Sequence, residues 1–284
     1  MSIERIAVLG AGIMGRGIAY AATISGFETR LYDALPPALA KGHAEIVSLM
    51  EKGVAAGKLP AEARARARLA AFSDLGKAVA DADLVIEAVP ESIALKCELF
   101  GELDRMTRPD TILATNTSSL SVTEMAGATK RAPRVVGMHF FNPVHRMKLV
   151  EIVRALETAP ETIEAASVVA MRMGKEPVVV REAPGFVTTR VNALIGNEAF
   201  RMLEEGVASA RDIDKALKLG LNHPMGPFEL VDLVGLDTRL SILNFLFQTL
   251  GERYRPNNLM VQYVQAGRLG RKAGKGVYEY PEGA

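Results

Sequence analysis

The sequence predicts an α/β protein: a mostly parallel sheet covered by helices, followed by an all-helical second domain. Three observations carry that expectation. From the start to about Val180, short β-rich runs alternate with helical patterns, which argues for a parallel sheet with both faces covered. After Pro184 the strand signals almost vanish while amphipathic helical stretches continue. The 284 residues are enough for two ordinary domains and a real core. The boundary falls in "REAPGF", giving a first domain of residues 1–183 and a second of residues 184–284.

The elements follow in order. "RIAVLG" is a short apolar run, a buried strand, and "GIMGRGIAYAATISG" is a helix that closes on Gly26. "ETRLYD" is a second strand. The long stretch "PPALAKGHAEIVSLMEKGVAAGKL" reads as helix, with "PAEARARARL" as a second helical arm. "LAAFSD" is a short strand, "DLVIEAV" a clear one, and "ESIALKCELFGELDRM" a helix. "TILATN", "RVVGMHF" and "KLVEIV" are strands, "PETIEAASVVAMRMG" a helix, and "EPVVV" the last strand of the sheet. In the second domain "GFVTTRVNALIGNEAFRMLEEG" is a long amphipathic helix. "SARDIDKALKLG" opens on a Ser-x-x-Asp cap and stops on Gly220. "PFELVDLVGLDTRLSILNFLFQTLG" and "NLMVQYVQAG" continue as helices, and a strand signal returns only in "GVYEY".

Composition narrows the function. Net charge is +1, without the basic block that a nucleic-acid-binding protein would show; the arginines from Arg64 to Arg68 alternate with alanine, as on a solvated surface. The single cysteine, Cys97, cannot form an internal disulfide and reads as a core-facing residue of a helix. The start "MSIERIAVLG" runs into a strand without the features of a signal peptide, and the apolar tract "LSILNFLFQTL" is too short to span a bilayer. A cytoplasmic protein without nucleic-acid or membrane partners is expected.

Gly10, Ala11, Gly12, Ile13, Met14 and Gly15 match G-x-G-x-x-G between a strand and a helix. There Gly10 allows a tight turn, Gly12 lets the backbone approach a pyrophosphate, and Gly15 lets the helix pack close to the sheet. Asp33 ends the second strand a little over twenty residues after Gly10. Its carboxylate suits ribose hydroxyls and repels a 2′-phosphate, which favours NAD over NADP. The bland alternative is a structural glycine turn beside a solvated aspartate.

Ligands of an open parallel sheet bind beyond the carboxyl ends of its strands. Asn116, Thr117, Ser118 and Ser119 leave one strand there, and His139 ends another. A histidine can take a hydroxyl proton, a buried carboxylate such as Glu151 can fix its tautomer, and a serine can hold a substrate oxygen. That is an alcohol dehydrogenase site without zinc-ligand spacing. On the residues alone, a structural His139 beside aromatics stays open. His43 and His145 read as solvated and His223 as a packing residue at a helix junction.

"NTSSLSVTEMA", "GMHFFNPVHRMKLVEIV", "APGFVTTR", "NHPMGPFELVDLVGLD" and "RLGRKAGKGVYEY" resemble the 3-hydroxyacyl-CoA dehydrogenases, nearest to their bacterial 3-hydroxybutyryl-CoA type. The resemblance covers essentially the whole chain. It implies a Rossmann-like NAD domain, an all-helical domain that makes a homodimer, and oxidation of an (S)-3-hydroxyacyl-CoA. It implies His139 as base, Glu151 as its partner and Ser118, rather than Ser119, as the substrate-binding serine. Glu91, Lys96, Asn142 and Lys272 match family contacts to NAD, and Asn116 joins them at the crevice. The helical excursion after Asp33 resembles a projecting helical pair along CoA, where Ser48, Lys52 and Lys58 are candidate contacts. One position departs: Thr189 stands where the family commonly has asparagine, with Asn192 and Asn197 further along the helix as possible substitutes. The rival readings are a dehydrogenase of a free hydroxy acid and a catalytically silent NAD-binding protein.

Overall fold

The computed structural model describes residues 2–281. The chain divides into two compact units that part between Ala183 and Pro184. In the first, β1 (Arg5–Leu9) leads into α1 (Ile13–Ile24), β2 (Glu28–Tyr32), α2 (Pro36–Ala55), the single turn α3 (Ala63–Arg66) and β3 (Leu69–Phe72). Next come α4 (Leu75–Val79), β4 (Leu84–Glu87), α5 (Ile93–Met106), β5 (Ile112–Thr115) and α6 (Val122–Gly127). β6 (Val135–Phe140), β7 (Leu149–Arg154), α7 (Pro160–Arg172) and β8 (Glu176–Arg181) complete the unit. One sheet holds all eight strands, in the order β3-β2-β1-β4-β5-β6-β7-β8.

The strand order places the chain reversal between β1 and β4, since β2 and β3 extend one way and β5 onward the other. Such a switch point opens a crevice at the strand ends. Register lines those ends up: Tyr32, Leu9, Glu87, Thr115 and Gly137 are successive partners across five neighbouring strands. Strands β4, β5 and β6 are buried along their whole length, as a sheet covered on both faces requires. Ile6, Val8, Ile86, Met138 and Ile152 from the sheet and Ile18, Ile46 and Val169 from its helices belong to one core.

Every pairing is parallel except β6 with β7. The 141–148 connection is too short for a parallel crossover, which needs a dozen or more residues, so the chain turns straight back. That reversal sets His139 directly opposite Glu151.

The second unit contains α8 (Thr188–Glu204), α9 (Ala210–Gly220), α10 (Pro227–Val234), α11 (Leu236–Leu250) and α12 (Asn258–Gln265). Phe200 anchors it, with Phe228 and Tyr263 edge-on at 5.2 and 5.8 Å between ring centroids. Ser209 caps α9 by accepting from the Asp212 N–H, as its Ser-x-x-Asp spacing predicts. No helix among the described residues is long and apolar enough to cross a membrane.

Five local expectations change. The second helical arm is only the turn α3, because alternating arginine and alanine offers no apolar stripe and none of its residues is buried. The run from Pro227 to Leu250 is two helices, broken at Gly235 with φ of +101°. "GVYEY" is not a strand: the Val277 and Tyr278 N–H groups donate to the buried Asp232 carboxylate at 2.8 and 2.9 Å. The Tyr280 hydroxyl donates to Asp232 and that of Tyr278 to Asp214, at 2.9 and 2.8 Å. Cys97 is half-buried rather than core-facing, and so is His43 rather than solvated.

Candidate active site

The glycine turn after β1 works as its spacing predicts. Gly10 has φ of +97°, and a side chain there would come within 2.6 Å of the Ala88 carbonyl oxygen. At Gly15 it would come within 1.7 Å of the Gly10 carbonyl oxygen, so the close approach of helix and turn depends on the missing Cβ. At Gly12 it would meet nothing within 4 Å, which leaves the space over the turn open. The first turn of α1 carries neither a side-chain cap nor an acid, so its N–H groups suit a phosphate. Ile13 is exposed beside that space and Met14 half-buried against the core. These residues fit a dinucleotide.

Asp33 does more than its position at the end of β2 suggested. One carboxylate oxygen accepts from the Ala11 N–H at 2.7 Å and the other from the Leu35 N–H at 2.9 Å. The side chain therefore braces the glycine turn, and its remaining lone pairs stay available for ribose hydroxyls.

At the end of β4 lies a network that sequence reasoning missed. Glu87 is fully buried and Lys96 is 1% exposed. Lys96 Nζ donates to Glu87 Oε1 at 2.6 Å and lies 3.3 Å from Glu91 Oε2. Glu87 also accepts from the Val89 N–H at 2.6 Å and the Thr115 hydroxyl at 2.8 Å. Glu91 in turn accepts from the Thr117 hydroxyl and, at 3.1 Å, from the Ser118 N–H. Lys96 is thus paired with Glu91, and Glu91 is bonded to the loop after β5. Asn116, on the same loop, accepts from the Phe140 N–H at 2.9 Å and ties it to β6.

His139 Nδ1 stands 2.7 Å from Glu151 Oε2, with the two residues 7% and 1% exposed. A carboxylate there accepts the Nδ1 proton and makes Nε2 the basic ring nitrogen. Phe141 packs on the imidazole at 4.4 Å between centroids. The loop that follows carries Asn142, exposed, and is pinned from three directions. Val144 fills the notch that Gly17 leaves in α1, His145 meets Tyr20 edge-on, and buried Lys175 donates to the Val144 and Met147 carbonyls. Burial lowers the Lys175 amino group below its ordinary value.

On α2, Ser48 and Lys52 are one turn apart and share a face, half-buried and exposed respectively. Lys58, in the loop beyond, is exposed; burial first, then the charges of Arg146, Lys175 and Lys58, lower the His145 imidazole below its ordinary value. The second unit holds the other two candidates. Thr189 is half-buried in the first turn of α8, and Lys272 pairs with Asp237 at 2.6 Å. Asn197 cannot stand in for a missing asparagine. Its amide donates to the Arg255 carbonyl at 2.9 Å and accepts from the Asn257 N–H at 2.8 Å, deep in the helical core.

A switch-point crevice, a glycine turn braced by an acid and a buried His–Glu pair two strands along define an NAD-dependent oxidoreductase. Residues 5–183 match the family described as "3-hydroxyacyl-CoA dehydrogenase, NAD binding domain", and residues 185–280 match "3-hydroxyacyl-CoA dehydrogenase, C-terminal domain". The chain belongs to the 3-hydroxyacyl-CoA dehydrogenase family. It is 46% identical over 284 residues to a probable 3-hydroxybutyryl-CoA dehydrogenase of Bacillus subtilis, covering 99% of each chain. A 3-hydroxyadipyl-CoA dehydrogenase of Escherichia coli is 41% identical, with 99% of this chain and 60% of that one covered. The crystal structure of (S)-3-hydroxybutyryl-CoA dehydrogenase from Ralstonia eutropha superposes with a TM-score of 0.95 at 41% identity, covering 99% of this chain and all of that one.

Proposed function

We propose that the chain interconverts short-chain (S)-3-hydroxyacyl-CoA and 3-oxoacyl-CoA thioesters, 3-hydroxybutyryl-CoA foremost. The observation that carries this is the buried His139–Glu151 pair, held across an antiparallel register beside the crevice of the glycine turn. Gly10, Gly12, Ile13, Met14, Gly15 and Asp33 would hold NAD, with Glu91, Lys96, Asn116, Asn142 and Lys272 as further candidates. When bound, NAD supplies the hydride acceptor. His139 takes the substrate hydroxyl proton on Nε2. Glu151 keeps that nitrogen basic and stabilises the imidazolium that forms. Ser118 holds the substrate oxygen, and its N–H, fixed by Glu91, sets where the hydroxyl stands. Thr189 meets the substrate with one hydroxyl where the family commonly places an amide. Ser48, Lys52 and Lys58 meet the CoA moiety, the lysines as point charges on its phosphates.

The chain works in the cytoplasm as a homodimer through its second unit, in this reading. Leu243 and Leu246, in the most apolar stretch of the sequence, are covered by the unit's own core, whereas Leu219 and Leu221 are 76% and 66% exposed. Those two side chains support a further covering surface on this unit.

The test follows NADH consumption on adding acetoacetyl-CoA, with acetoacetate in parallel. Turnover of the thioester alone is expected. Turnover of the free acid would favour a hydroxy-acid dehydrogenase, and silence on both would favour longer acyl chains or a silent protein. His139→Ala should lower kcat by about 10²–10⁴-fold. Weakened binding with unchanged kcat would contradict the role of base.

A further inference from the structure

Glu87 stands where a chain economising on stability would place valine or isoleucine. The three residues before it in β4 are apolar and buried, and its carboxylate is fully enclosed. Lys96 enters from the first turn of α5 with its ammonium equally enclosed. Removing two charges from water is costly, and a well-packed apolar pair at such positions is often as stable or more so. Stability alone therefore gives a weak account of this pair.

The bonds it makes lead somewhere definite. Glu87 collects the Val89 N–H, the Lys96 ammonium and the Thr115 hydroxyl, so it joins the ends of β4 and β5. Lys96 has one face on Glu87 and the other on Glu91 Oε2. Glu91 Oε1, held in that orientation, accepts from Thr117 and Ser118. The Thr115 hydroxyl accepts from the Thr117 N–H at 3.2 Å, and that of Thr117 from the Leu120 N–H at 3.0 Å. The chain of contacts runs from the sheet interior outward and ends on the serine loop. Its last member, Glu91, is 40% exposed and without Lys96 would be free to turn to solvent.

We infer that Glu87 and Lys96 are positioning residues for Ser118: through Glu91 they fix the backbone on which the substrate-binding hydroxyl is carried. They touch neither the thioester nor the transferred hydrogen. The inference rests on the proposed role of Ser118. It goes beyond the cofactor contact proposed for Lys96 and Glu91, because both side chains are also tied into the chain that leads to Ser118. A reacting group misplaced by about an ångström can cost 10²-fold in rate, so a loop held only by its own turn would be a poor platform.

The experiment separates packing from positioning. Glu87→Gln and Lys96→Met each strand a partner in the interior and should lower the melting temperature. The double variant Glu87→Leu/Lys96→Met removes both charges and should recover most of that loss. Its kcat on acetoacetyl-CoA should nevertheless stay down by about 10²-fold, with a raised KM for the thioester and a smaller change in NADH affinity, read by fluorescence titration. Glu91→Ala leaves the buried pair intact and should lower kcat in the same direction, so it decides the matter if the double variant does not fold. Wild-type kcat and KM in the double variant, or in Glu91→Ala, would make the pair purely structural and overturn the inference. A loss confined to NADH affinity would overturn it too. If the wild type itself ignores acetoacetyl-CoA while binding NADH, the proposed substrate fails and not the positioning argument.

Discussion

At the scale of single residues, the site depends on carboxylates that serve other side chains. Glu151 sits opposite His139 only because β7 runs back along β6, and its enclosure leaves the imidazole as its natural partner. Glu151→Gln keeps the shape and can still accept from Nδ1, but it cannot stabilise an imidazolium by charge. Its kcat should fall by about 10²-fold or more with a smaller change in KM, measured in steady state with acetoacetyl-CoA. A change confined to KM would move Glu151 to substrate binding. Asp33 accepts from the Ala11 N–H and is proposed to recognise the ribose as well. Asp33→Ser keeps a short acceptor near the turn but loses the charge that repels a 2′-phosphate. NADH should bind about tenfold more weakly, a loss near 1.4 kcal/mol, and the preference over NADPH should narrow. Fluorescence titration of both dinucleotides checks this, and an unchanged ratio would remove Asp33 from cofactor selection.

At the scale of elements, the alternation of strand and helix was readable because each element of the first unit repeats one simple rule, an apolar run or a 3.6-residue stripe ended by a turn. The glycine turn is readable for a related reason, since its residue types lie at fixed spacing, whereas the His139–Glu151 pair follows from the family resemblance, the residues alone leaving a structural histidine open. What escaped depended on partners distant in the chain. Glu87 passed unnoticed because one acid at the end of "LVIE" looks like a strand terminus until Lys96 and Thr115 close over it. The segment "GVYEY" has strand-like residues, yet Asp232 takes the N–H groups a neighbouring strand would have received. Short α4 and α6 are too brief for a periodicity to show. Lys175 belongs to the same class, since nothing around it in sequence announces a buried ammonium. Lys175→Met would leave the Val144 and Met147 carbonyls without their donor and should cost about 2 kcal/mol of stability. It should also raise the KM for NAD, because the freed loop carries Asn142; an unchanged KM would separate the loop from the cofactor. Ser209→Ala, by contrast, removes only the cap of α9 and should cost about 1 kcal/mol without touching kinetics.

At the scale of the whole molecule, the amino-terminal end of the central strands sets how the fold meets acid. Asp83, only 6% exposed at its side chain, lies where β1, β4 and β5 begin. Burial pushes its carboxyl up, but the Glu4 N–H, the Arg108 guanidinium and the Arg5 N–H and guanidinium outweigh burial and hold it at about 2. An unfolded aspartate titrates near 3.9, so the folded value is the depressed one. The stability that Asp83 contributes, about 2 kcal/mol, is therefore complete above roughly pH 5 and drains away as pH falls through about 2. Asp214 in the second unit has the opposite sign. Burial raises it despite bonds from Phe228, Tyr278 and Glu229, so keeping it ionised is costly at neutral pH and acid relieves that cost. Glu229, held down by Lys218, and Asp237, where burial is outweighed by Lys272 and backbone N–H groups together, work the other way, but at 32% and 40% exposure solvent screening trims them. Acidification should thus loosen the first unit ahead of the second. Hydrogen exchange from pH 5 toward 2 should show protection falling first in β1, β4 and β5. In Asp83→Asn the contribution is already lost at neutral pH, and the gap between variant and wild type should close by about 2 kcal/mol across that window. A gap that stays constant with pH would show that Asp83 serves the fold as a hydrogen-bond acceptor alone, with its charge fully offset by the arginines around it.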